Sequence, residues 1–107
     1  MAVTLEHNIT TTLTQNLLAA GDKVSNAKSI LIANVDSTND AKVDLFLNKG
    51  DNNYYILKNV LVPLESTLVL GQSDGISFDN STNGFSLRIQ VDDGSTTAVA
   101  VDVLIKK

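Results

Sequence analysis

Residues 27–47 read AKSILIANVDSTNDAKVDLFL, and the rest of the chain is organised around them. Two β-rich runs, residues 29–35 and 42–47, flank the polar segment Asp36-Ser37-Thr38-Asn39-Asp40. In the second run Val43, Leu45 and Leu47 point one way and Asp44 the other, which is the period of a half-buried strand. The first run is apolar on both faces, with Ile30 and Ile32 on one side and Leu31, Ala33 and Val35 on the other. Such a run suits a strand covered on both sides. The pair is expected to form a hairpin, with further strands covering it.

The chain has 107 residues, enough for one core and not for two. Apolar residues make up 43% and aromatic residues only 5%, so the core must come from Val, Leu and Ile, which pack well on a pleated sheet. Without cysteine there is neither a disulfide nor a thiolate metal site. A β domain of this size without staples often gains stability by associating with copies of itself or with another surface. Eight basic against twelve acidic residues give a net charge of −4, and no basic stripe forms, which argues against nucleic-acid binding. The opening MAVTLEHNITTT lacks the pattern of a signal peptide, and no run is apolar and long enough to span a membrane. A protein made and kept in solution in the cytoplasm is expected.

Residues 1–8 carry no pattern and are expected to be a flexible arm, with one domain over residues 9–107. Residues 9–18, ITTTLTQNLL, suit a first strand with Leu13, Leu17 and Leu18 as anchors. A helix over residues 13–20 capped by Gly21 competes with it. Turn formers at residues 48–53 lead to strands at 54–57 and 60–62, the latter stopped by Pro63, which cannot donate to a ladder. Further strands are expected at 67–70, 76–78, 85–91 and 97–105, the last two alternating cleanly. About seven or eight short strands with frequent turn signals predict an all-β fold. It would be an antiparallel β-sandwich, Ig-like or jelly-roll-like.

No motif argues for an enzyme. Gly71-Gln72-Ser73-Asp74-Gly75 matches the G-x-S-x-G nucleophile elbow, but a helix must follow the elbow and the histidine must lie downstream. Here β-like residues follow, and the lone histidine, His7, lies upstream, so the segment reads as a turn. His7 has no evident partner for base or metal chemistry. Asp36, Asn39, Asp40, Asp92 and Asp93 could offer oxygens to calcium, but none follows the calcium-loop spacing, and Asp and Asn dominate ordinary turns. No metal site and no cofactor are expected. Two glycosylation sequons, at Asn8 and Asn80, carry no weight without a secretory signal. Of Tyr54 and Tyr55, one should pack inside and one stand exposed, the latter a candidate interface anchor.

The succession SILIANVDSTNDAKVDLFL, then YYILKNVLVPLESTLVL, then a glycine turn and two alternating strands resembles a group of small virion structural proteins of tailed bacteriophages. Those proteins are common among marine and cyanobacterial phages. They read as a strand I-x-V-x-N, a polar turn, a strand V-x-V/I-x-L and a segment like YYLLKDVxIPxxSTLEL. Ile30, Ile32 and Asn34 match the first part, and Val43, Leu45 and Leu47 the second. Tyr54, Tyr55, Leu57, Lys58, Val60, Pro63, Ser66, Thr67, Leu68 and Leu70 match the third. The match spans residues 27–107.

The resemblance implies a β-sandwich on a phage particle, with no catalytic residues to carry over. The leading expectation is a capsid decoration or cement protein that binds the major capsid protein and stabilises the head, where many modest interfaces add by symmetry. The alternative is a neck, tail or fibre-attachment component, with receptor or glycan binding. A free carbohydrate-binding module is disfavoured, since the sequence shows no cluster of exposed aromatics as a sugar platform. Expected partners are the major capsid protein or other virion proteins and copies of the chain itself, a trimer being one option. The candidate interface comprises Tyr54, Tyr55, Leu5 and His7 of the arm, and Asn80 and Asn83 of the 79–84 loop. Deleting residues 1–8 is expected to leave the domain folded.

Overall fold

The computed structural model describes residues 4–24, 26–71 and 76–106. Among these residues the chain forms ten strands and no helix. They are β1 (Thr4–Ile9), β2 (Gln15–Leu18), β3 (Asn26–Ala27), β4 (Ser29–Asn34), β5 (Ala41–Lys49), β6 (Asn52–Val62), β7 (Thr67–Leu70), β8 (Ile76–Ser77), β9 (Ser86–Asp92) and β10 (Val101–Lys106).

The strands pair from the outside inward: β1 with β10, β2 with β9, β3 with β8, β4 with β7 and β5 with β6, every pair antiparallel. The chain is thus one long hairpin, folded at the β5–β6 turn, whose arms wind together round a common core. Two further pairings, β10 with β4 and β9 with β5, close it into two four-stranded sheets. Sheet I has the order β1-β10-β4-β7 and sheet II the order β2-β9-β5-β6. This winding is that of a jelly roll, which decides between the two sandwich types that the sequence leaves open.

The expected hairpin between residues 29–35 and 42–47 does not form. β4 lies in sheet I and β5 in sheet II, so the segment between them crosses from one sheet to the other. Both strands carry a full apolar face, and each buries it in the space between the sheets: Ile30, Ile32, Val43 and Leu45 are wholly buried. Pairing them edge to edge would place both apolar faces on one sheet and leave the other sheet without its centre. Local polar chemistry fixes the crossing. Asp36 Oδ1 accepts from the Thr38 and Asn39 N–H groups, at 2.8 and 3.0 Å, in an Asx turn. The buried Asn34 side chain donates to Asn39 O and Val62 O and accepts from Asp36 N–H, tying the crossing to the end of β6.

Other expectations shift with the winding. Residues 4–8 of the expected arm belong instead, with Ile9, to the edge strand β1 of sheet I along β10, with Ile9 buried and Leu5 packed against the core. Residues 9–18 are not one strand, because β1 ends at Ile9 and β2 begins at Gln15; Leu17 and Leu18 are core, whereas Leu13 is exposed. The helix considered there is absent. Residues 54–57 and 60–62 belong to one strand, β6, which ends just before Pro63. The final strand starts at Val101, yet Val99 is already buried. The outer face of β4 is not covered: Leu31 and Ala33 remain half-exposed.

The core is aliphatic throughout, with Leu87, Ile89 and Val91 of β9 and Val101, Val103 and Ile105 of β10 wholly buried. The β5–β6 turn is the two-residue loop Gly50-Asp51, whose first position has φ +62°, a conformation suited to glycine. Midway along that pair the register shifts around Asp44. There Asn59 adopts φ +54° and donates its N–H to Asp44 Oδ1 at 2.7 Å, while Lys58 Nζ lies 3.5 Å from Asp44 Oδ2. A bulge and a lysine in the middle of β6 make this exposed edge a poor template for a further strand.

Candidate functional site

The outward face of sheet II carries a row of side chains that crosses all four strands. By register Asn16 of β2 stands beside Arg88 of β9, Arg88 beside Phe46 of β5, and Phe46 beside Tyr55 of β6. The Phe46 and Tyr55 rings lie 5.1 Å apart at 42°, and Lys58 Nζ sits 4.4 Å from the Tyr55 ring centre. Phe46 is covered, and Tyr55 stays 45% exposed. Neighbouring strands stand about 4.8 Å apart, so the row spans roughly 14 Å.

At the β2–β9 end of this face lies a cleft of about 380 Å³, lined by Asn16, Asn48, Lys49, Thr82, Ser86 and Arg88 among others. Arg88 is half-buried, and its Nε donates to Oγ of the buried Ser86 at 3.1 Å, which fixes the guanidinium plane. Among the described residues Arg88 forms no ion pair. Lys49, at the rim, lies 5.4 Å from the Phe85 ring centre. Asp79 is held below the usual carboxylate pKa by the Ser81 hydroxyl and N–H, with the Lys49 charge a smaller contribution. Amides, hydroxyls and a fixed cation with no counter-ion make this cleft a place for polar, negatively charged groups.

The floor of the cleft depends on the 79–85 turn. Asn80 is buried, its side chain accepting from Val24 N–H and donating to Ala19 O and Phe85 O. Gly84 sits so close to Asp79 that an added Cβ would collide with the Asp79 carbonyl oxygen.

The residues singled out from the sequence do not converge. Tyr54 and Tyr55 are both exposed, contrary to the expectation that one would be inside, because β6 is an edge strand. Tyr54 leans edge-on against Phe85 at 5.8 Å, and Tyr55 rests on Phe46 on the opposite face. Leu5 is half-buried and packs against the core, and Asn80 is buried. Asn83 is exposed and lines the cleft. His7, half-buried on β1, borders a shallow groove of about 240 Å³ with Glu6, Asn8, Asp102 and Leu104, where Asn8 Nδ2 donates to Asp102 Oδ1 at 2.6 Å.

The carboxylates considered for calcium are engaged with backbone N–H groups, Asp36, Asp92 and Asp93 in their own turns and Asp40 across to the segment after β6. Asp36 caps Thr38 and Asn39, Asp40 accepts from Leu64 N–H, Asp92 from Gly94 N–H, and Asp93 from Ser95 and Thr97. No group of three or more His, Cys, Asp or Glu side chains converges among the described residues. Of the elbow-like motif, Gln72, Ser73, Asp74 and Gly75 lie outside those residues; the chain resumes in the two-residue strand β8. No helix there is long and apolar enough to cross a membrane.

Arg88 and Asn16 escaped the sequence reading. The one available signal was that Arg88, the sole arginine of the chain, takes an outward position in the alternating run FSLRIQV. Its neighbours come from strands far away in sequence, and only the sheet order brings them beside it.

The fold is that of a jelly-roll domain whose outward faces differ: sheet II carries the row Asn16, Arg88, Phe46 and Tyr55, and sheet I carries Leu104, Leu31 and Val69 beside the polar Glu6, Asn8 and Asp102. No protein-family model and no curated protein matches the chain.

Proposed function

We propose that this chain is a non-enzymatic structural protein of a tailed-phage virion, a decoration or cement protein that docks on the major capsid protein and stabilises the head. It would be made in the host cytoplasm and reside on the particle. The observation that carries this reading is the outward face of sheet I. By register Leu104 of β10 stands beside Leu31 of β4, and Leu31 beside Val69 of β7. The three form an apolar stripe across adjacent strands, with Ala33 next to it and Val69 38% exposed. Alternation normally turns polar side chains outward on a sheet that faces water, so an apolar outward row suits an assembly surface.

The fold adds support by analogy alone, since jelly rolls recur in viral capsid proteins and lectins and fold does not fix function. A modest stripe serves a cement protein well, because symmetry repeats each small interface over the whole shell.

Quantitative mass spectrometry of purified particles tests the reading. Hundreds of copies in fixed ratio to the major capsid protein are expected for a cement role. A few to a few dozen copies would place the chain at the neck or tail, and absence from particles would overturn a virion role.

A further inference from the structure

We propose that the outward face of sheet II binds a short acidic saccharide, with a sugar carboxylate at Arg88 and a second ring against Tyr55. Four observations converge on it. Arg88 presents a fixed guanidinium, oriented through Nε by the buried Ser86 and without an acidic partner among the described residues. A planar fork held in this way is suited to a carboxylate, which it can engage with two parallel hydrogen bonds. Around it the cleft supplies the groups that sugar hydroxyls need, namely the amides of Asn16 and Asn83 and the Thr82 hydroxyl.

The third observation is the aromatic end of the row. Tyr55, resting on Phe46 and with Lys58 Nζ 4.4 Å from its ring centre, stays partly exposed two strands from Arg88, which is roughly 10 Å by strand spacing. That separation is about the length of two linked sugar rings. Two single strong contacts set apart in this way favour a disaccharide unit over a lone anion. Fourth, the neighbouring charges stand in pairs: Asp44 accompanies Lys58, Asp79 accompanies Lys49 and Asp92 stands beside Lys42 by register, so that Arg88 keeps no acidic partner among the described residues. An acidic peptide would also satisfy Arg88, but the amide and hydroxyl lining and the half-exposed Tyr55 ring favour a polyol. The inference is independent of the virion reading, and either can fail without the other.

Digalacturonic acid is the probe, titrated into the full-length protein while the backbone amide and Arg Nε–H resonances are followed. Saturable shifts confined to Asn16, Asn48, Tyr55, Thr82 and Arg88 are expected. The dimethyl ester of the same disaccharide, which keeps the hydroxyls and loses the charge, should bind about tenfold more weakly or worse. R88Q should weaken digalacturonate to a similar degree. N16A, at an exposed position that leaves the core intact, should weaken it several-fold and keeps the test decisive if R88Q does not fold. Absence of saturable shifts, or equal binding of the ester, would overturn the proposal. So would acetate or inorganic phosphate matching the disaccharide, which would indicate a simple anion site. Tighter binding of triglutamate would replace the saccharide with an acidic peptide.

Discussion

The Asn80 side-chain oxygen accepts the Val24 backbone N–H at 2.9 Å, joining residues 56 positions apart. The same side chain donates through Nδ2 to Ala19 O at 3.0 Å and to Phe85 O at 2.8 Å, while the Asn80 backbone carbonyl accepts from the Gly21 and Lys23 N–H groups. One buried side chain therefore closes the turn after β2 against the turn before β9. N80A would leave one buried donor and two acceptors without partners. We expect a loss of about 3 kcal/mol, a fall in Tm of roughly 12–20 °C, measured by thermal and denaturant unfolding.

Removing residues 1–8 should not be innocuous. It deletes most of β1 and uncovers the β10 edge, along which Leu5 to Ile9 now pair with Val101 to Ile105. Loss of the ladder and of Leu5 burial should cost about 3 kcal/mol or more. The truncated chain should unfold at much lower denaturant or aggregate. An unchanged midpoint would show that β1 contributes nothing to the domain.

Gly84→Ala tests the tight 79–85 turn. Its Cβ would overlap the Asp79 carbonyl oxygen, which already accepts from Phe85 N–H at 2.6 Å. Backbone must move to relieve the clash, and a loss of about 2 kcal/mol is expected. Shifted amide resonances at Asn80 and Ser86 should accompany it.

Acid should weaken the fold in a defined direction. Asp36 is held below the usual carboxylate pKa, first by the Thr38 N–H and then by the Asn39 N–H; Asp93 is lowered chiefly by the Ser95 hydroxyl and N–H, and Asp79 by those of Ser81. A carboxyl with a lowered folded-state pKa adds stability above its unfolded value, near about 3.9, and that stability disappears as pH falls through the lowered folded values. Denaturant midpoints should therefore be flat between about pH 6 and 5 and fall below about pH 4. Asp36→Asn should flatten part of that decline.

Leu31→Asp separates stability from assembly. Leu31 is half-exposed on the outward stripe, so the isolated domain should lose about 1 kcal/mol or less. Binding to particles, followed by co-sedimentation, should fall sharply if the sheet I stripe is the docking surface. Unchanged co-sedimentation would remove that surface from the proposal.

Alternation in FSLRIQV and in the valine-rich end, the turn formers at residues 48–53 and the lone Pro63 were enough to determine an all-β sandwich, because strand period and turn chemistry are local properties. Local patterns could not say which strand lies beside which. Residues 29–35 and 42–47 look like hairpin partners because they are adjacent and both apolar, yet each was drawn to a different sheet by the need to cover the other's inner face. The same nesting of pairs made an edge strand of Thr4–Ile9, whose ladder partner lies at the far end of the chain. It also put Arg88 between Asn16 and Phe46. A site assembled across strands depends on their order, and that order is settled only when the two sheets close over one shared aliphatic core.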